Sequence, residues 1–119
     1  LTPVTTVARR WGSMTEAEVE NPVVTTAEEA GYFVRKVAWV GRVACPDRIF
    51  AREDRGVVFI EFKAPGKPAR KNQAKEHQRM RDAGIEVHVC DNVQDALRIL
   101  WLLPGSNGGP VTGTWRDLI

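Results

Sequence analysis

At 119 residues the chain has room for one hydrophobic core and not two. With 43% hydrophobic and 27% charged residues, no apolar run near the roughly 18 residues of a membrane span, and no secretory signal pattern at its start, it is expected to be a cytoplasmic globular domain with no membrane partner. The net charge of +2 hides an asymmetry: residues 35–81 hold 13 Lys/Arg against 5 Asp/Glu and the rest 4 against 10, so the middle is +8 and the remainder −6, which points to a polyanionic partner.

Residues 1–13 show no sustained period, and the Gly12-Ser13-Met14 junction resembles a cloning scar before an initiator, so this stretch is read as disordered or foreign to the domain. Thr15 with Glu18 is a capping-box pattern opening a helix that ends at Gly31. Pro22 lacks a backbone donor, so this helix is expected either to kink there or to start late, with Asn21 as its cap. Tyr32–Val40 is rich in strand formers, Gly41–Pro46 reads as a loop, and Asp47–Ala51 and Val57–Lys63 read as a hairpin around the polar turn 53–56. Pro65, Gly66 and Pro68 precede a helix over 70–83 closed by Gly84. Ile85–Cys90 is a strand, and Asp91 or Asn92 caps a last helix reaching Leu103 before Pro104-Gly105. The order α-β-β-β-α-β-α implies an α/β domain over residues 14–104, a mixed central sheet flanked by helices, with a Gly/Pro-containing tail over 105–119. Cys45 and Cys90, without C-x-x-C spacing, suggest reduced thiols rather than a disulfide or zinc site.

Alternation along Val57–Lys63 sends Glu61 and Lys63 to one face and Val58, Ile60 and Phe62 to the other. Burying an isolated carboxylate is costly, so the pair is either an ion pair at a sheet edge or a site that uses both charges. The hairpin brings Asp47 to the same strand end. Two carboxylates beside an ammonium suit Mg²⁺ or Mn²⁺, with the lysine orienting a nucleophile or steadying developing charge, as phosphodiester hydrolysis requires.

Pro46-Asp47, thirteen residues, then Glu61-Phe62-Lys63 resembles the signature of the PD-(D/E)xK nucleases. Together with Gly41-Arg42 before Cys45-Pro46-Asp47-Arg48-Ile49-Phe50, and Gln73, His77 and Gly84 after Lys63, the pattern is similar to the virus-type replication-repair nuclease (VRR-NUC) domain over about 14–103. The resemblance implies a restriction-endonuclease-like core and a Mg²⁺- or Mn²⁺-dependent DNA endonuclease, from a phage or prophage, acting in DNA replication or repair on branched DNA such as a Holliday junction or flap. It implies Asp47 and Glu61 as metal ligands, the Phe62 carbonyl as a third and Lys63 as the catalytic lysine. It also calls for a first-helix glutamate about three turns before Gly31, for which Glu20 fits best and Glu16 is the reserve. A nuclease without branch preference and a DNA-binding module with a degenerate site are the competing readings.

Helical spacing places Gln73, His77 and Met80 on an inward stripe, where Gln73 either approaches the metal site, as the resemblance suggests, or satisfies a backbone group. His77 is expected as a packed core residue. Lys71, Lys75 and Arg79 lie on the opposite stripe and, with Lys67 and Arg70, form either a solvated face or a phosphate-binding one; Lys36 and Arg42 are further DNA-binding candidates. The last helix is apolar almost all round at its end, so the tail or a second subunit is expected to cover it, and the resemblance favours a homodimer.

Overall fold

The computed structural model describes residues 14–104; the expectations for 1–13 and for the tail from 105 lie outside the described residues. The elements are α1 (Glu16–Glu29), β1 (Phe33–Lys36), β2 (Arg48–Arg52), β3 (Gly56–Phe62), α2 (Lys71–Asp82), β4 (Val87–Cys90) and α3 (Val93–Ile99), in the order read from the sequence. Their sheet runs β1-β2-β3-β4, antiparallel through β3 and parallel between β3 and β4. The parallel pair requires a crossover, and α2 supplies it.

Helix α1 begins at the capping box: Thr15 Oγ1 accepts from the Glu18 amide at 3.2 Å and Glu18 Oε1 accepts from the Thr15 amide at 2.9 Å. Pro22 sits inside the helix and does not start it, contrary to one expectation. The donor it removes would serve the Glu18 carbonyl, and both residues lie on the exposed side, where water can serve instead. Val19, Val23 and Ala27, four residues apart, make the buried stripe.

Strand β1 stops at Lys36, short of the Val40 its composition suggested, because its partner β2 runs out at Arg48. One further bond, from the Val37 amide to the Asp47 carbonyl at 3.2 Å, closes the base of a loop over 38–46. The β2–β3 hairpin turns through Glu53-Asp54-Arg55, with Arg52 opposite Gly56 at φ +91°. Along β3, Val58, Ile60 and Phe62 are fully buried toward α1 and α3 with Val34, Phe50 and Leu100, each worth about 1.5–3 kcal/mol of burial. Glu61 and Lys63 occupy the other face, yet are only 2% and 7% exposed.

Helix α2 buries Glu76, His77 and Met80 and exposes Lys71, Lys75 and Arg79, as its spacing indicates. Helix α3, capped by Asn92 Oδ1 on the Asp95 amide at 2.8 Å, ends at Ile99 and not at Leu103. Trp101 adopts φ +60°, and the Leu102 amide folds back to the Leu97 carbonyl at 2.8 Å. That turn directs Leu97, Ile99 and Leu102 onto the same core as Leu100, which largely removes the reason for a tail or second subunit over this helix. Cys45 and Cys90 are free thiols. No helix among the described residues is long and apolar enough to cross a membrane.

Candidate active site

The register that sets Arg48 opposite Ile60, carried one residue on, sets Asp47 opposite Glu61. Pro46, fully buried, fixes the entry of the chain, and the Phe62 amide donates to Asp47 Oδ2 at 2.7 Å. Past the end of β3, the Lys63 amide donates to the Cys90 carbonyl at 2.9 Å, which keeps Lys63 in strand alignment. The two strand ends therefore hold Asp47, Glu61 and Lys63 on one rigid platform.

The two oxygens of Glu61 differ. Oε2 accepts from Gln73 Nε2 at 3.0 Å and lies 3.4 Å from Lys63 Nζ. Oε1 is buried and has no hydrogen-bond donor among the described residues. Gln73 in turn accepts from the Arg70 amide through Oε1 at 2.8 Å, so one side chain both caps α2 and reaches the carboxylate. Gln73 thus lies beside Glu61 and also serves a backbone amide, though an exposed one.

Helix α1 brings Glu16 to this platform: ligand oxygens of Glu16, Asp47 and Glu61 all lie within 4.8 Å of one another. Glu20, one turn further on, is instead engaged by Arg48, whose Nε donates to Glu20 Oε2 at 2.6 Å. The structure thus groups the reserve glutamate with the strand carboxylates and gives the first choice an arginine partner. Phe62 places its ring in the core and its amide on Asp47.

Burial pushes the Glu61 carboxyl up to about 7, the neighbouring Asp47 charge adds to the rise, and Lys63 opposes it. Asp47 is raised for the same first reason, held back by the Phe62 amide and pushed further by Glu20 and Glu16. Three carboxyls this close carry more negative charge than one lysine offsets. A buried carboxylate oxygen without a donor, among hard oxygen ligands, fits a small divalent cation such as Mg²⁺ or Mn²⁺. His77, 1% exposed, is held below its ordinary value by burial and by Arg81 and Lys63, as expected of a neutral packed imidazole.

The cationic candidates are all exposed, and the register that sets Lys36 opposite Arg48 and Ile60 puts Lys36 on the core side of the sheet, not on the side of Glu61. Lys67, Arg70, Lys71, Lys75 and Arg79 are exposed before and along α2, Lys36 is exposed at the end of β1, and Arg42 is exposed in the β1–β2 loop. Two residues escaped the sequence reading. Glu76 is buried and accepts from Trp39 Nε1 at 2.8 Å, while Arg79 and Arg42 approach its other oxygen at 3.2 and 3.8 Å. Its place three residues after Gln73 on the inward stripe was the available signal. Arg48, which holds Glu20, had none.

The chain is 34% identical over 85 residues to a protein named "Putative nuclease p44" from Acyrthosiphon pisum secondary endosymbiont phage 1, covering 71% of this chain and 90% of that one. A solved structure described as a VRR-NUC domain superposes with a TM-score of 0.58 at 28% identity, covering 69% of this chain and 94% of that chain. No protein-family model matches the chain.

Proposed function

The chain belongs to the VRR-NUC family of nucleases, and on that footing we propose that it is a Mg²⁺- or Mn²⁺-dependent DNA endonuclease selective for branched DNA. The observation that carries the metal dependence is the meeting of Glu16, Asp47 and Glu61 within 4.8 Å around an oxygen of Glu61 that no donor among the described residues satisfies. These three residues would hold the cation. When bound, it supplies charge neutralisation at the phosphate and a lowered pKa for a water.

The chain's own groups perform the rest. Gln73 fixes Glu61 through Oε2 and leaves Oε1 free, and the Phe62 amide fixes Asp47 in the same way. Lys63 Nζ, kept near Glu61, donates to the attacking water or to the developing anion. The water gives up one proton to solvent as its oxygen bonds to phosphorus in line with the departing oxygen, the opposite P–O bond breaks, and the leaving oxygen takes a proton from solvent. No covalent enzyme intermediate forms. Glu16 takes the ligand place in the first helix, and Glu20 stays with Arg48 as a neighbouring charge on Asp47. Lys36, Arg42, Lys67, Arg70, Lys71, Lys75 and Arg79 hold the strand through its phosphates.

A homodimer belongs to this reading, since two equivalent sites suit paired cuts in a four-way junction. In its support, Phe33, Ala51 and Val57 form one cross-strand row, with Phe33 and Val57 51% and 53% exposed. Sedimentation equilibrium tests it. The phage source of the relative supports a role in phage or prophage DNA replication or repair, in the host cytoplasm.

The deciding experiment is a cleavage panel over linear, flap, splayed and four-way DNA with Mg²⁺, Mn²⁺ or EDTA, mapped at nucleotide resolution. Faster metal-dependent cutting of the branched forms is expected. Equal rates on linear duplex would favour a general nuclease, and no cutting with Mn²⁺ would end the enzymatic reading.

A further inference from the structure

The loop between β1 and β2 carries the most exposed large apolar side chains among the described residues, Val40 at 100% and Val43 at 73%. The loop is held in place around them. Trp39 is pinned by its indole to Glu76 at 2.8 Å, and its ring edge meets Phe59 with centroids 6.1 Å apart. Gly41 and Ala44 both turn through the left-handed region, at φ +75° and +70°, and for Ala44 this is a conformation that alanine seldom takes. The loop is thus anchored at Trp39 and turned outward, with both valines facing solvent.

Arg42, Lys75 and Arg79 line the cleft beneath the tip around the single carboxylate of Glu76, which Arg79 and Arg42 approach at 3.2 and 3.8 Å, so an apolar point stands on a shoulder of net positive charge. The loop also runs straight into the site. Val43 is four residues before Asp47, so it can stand at most roughly 14 Å away, or about four steps of DNA at 3.4 Å per base along a strand. An intact duplex offers such a tip only groove walls, and parting a base step costs stacking energy. A branch point offers an unstacked, apolar base-pair face between anionic backbones, which matches both parts of the feature.

We propose that Val40 and Val43 form a fixed wedge that packs against the open base-pair face at a DNA branch, with Arg42, Lys75 and Arg79 on the flanking phosphates. The wedge thereby supplies the branch preference proposed above, and the inference rests on that reading.

The test compares wild type with Val40→Ser/Val43→Ser and Val40→Leu/Val43→Leu. Four-way DNA with 2-aminopurine at the branch reports binding in Ca²⁺, and cleavage of branched and linear DNA is measured in Mg²⁺. The serine pair is expected to keep its thermal midpoint, to lose the 2-aminopurine fluorescence rise, and to lower the branched-to-linear cleavage ratio about tenfold. The leucine pair is expected to keep both. An unchanged ratio and signal, or an equal loss on linear DNA, would overturn the wedge. So would a serine pair whose only change is its state of association, since the tip would then be a protein interface. If wild type cuts no DNA, the nuclease reading falls, while the fluorescence in Ca²⁺ still decides the wedge.

Discussion

Glu61 sets the electrostatics at the scale of single residues, because it keeps its proton up to about 7 in the fold while the unfolded chain releases it near its ordinary 4.5. The folded state then binds more protons than the unfolded one across that window, so stability without metal falls as pH rises through it. Asp47, also raised, acts in the same direction. Urea midpoints in EDTA are expected to decline from pH 5 to pH 7, and Glu61→Gln is expected to flatten the decline. A divalent cation competes with the same proton, so Mn²⁺ should stabilise more at pH 7.5 than at pH 5.5. Asp47→Asn keeps an acceptor for the Phe62 amide but removes a ligand charge worth several kcal/mol in the transition state, so cleavage should fall at least about a thousandfold. Anisotropy with labelled DNA in Ca²⁺ should show binding retained. Between the two helix glutamates, Glu16→Gln should weaken Mn²⁺ binding in calorimetry far more than Glu20→Gln does, because Glu20 is already engaged by Arg48.

At the scale of elements, the start of α1 serves stability and the site together. Thr15→Ala breaks the capping box and should cost about 1 kcal/mol in urea unfolding. Glu16 is the next residue, so fraying there should also raise the Mn²⁺ dissociation constant, whereas an equally destabilising change at Ala96 in α3 should not. The β2–β3 hairpin and its charges were legible in the sequence because alternation is local and a short turn fixes register. The choice between Glu16 and Glu20 was not legible. Both lie on one helix a turn apart, and what separates them is Arg48 on β2, a contact made only in the folded chain. The ends of β1 and α3 were hidden for related reasons. One depends on where a neighbouring strand stops, and the other on a tryptophan that takes φ +60° while its ring packs on Arg55, 4.9 Å from ring centroid to guanidinium carbon.

At the scale of the molecule the sheet divides the labour: its α1/α3 face is a dry core, and its other face carries the carboxylates with the cations of α2 and the loops beside them. DNA affinity should accordingly depend steeply on salt, and Lys75→Ala should reduce the slope of log K against log salt by about 0.9 without sequence preference. Titrations between 50 and 200 mM NaCl check this.

Strand β3 belongs to both faces, with Val58, Ile60 and Phe62 turned one way and Glu61 and Lys63 the other. A slip of one residue in its pairing would exchange the two sets and drive a carboxylate and an ammonium into the apolar layer. The buried charges thus also discriminate against misaligned chains. A variant with both made apolar should gain stability and lose fidelity, folding to a mixture of alignments in which the native hairpin is one of two.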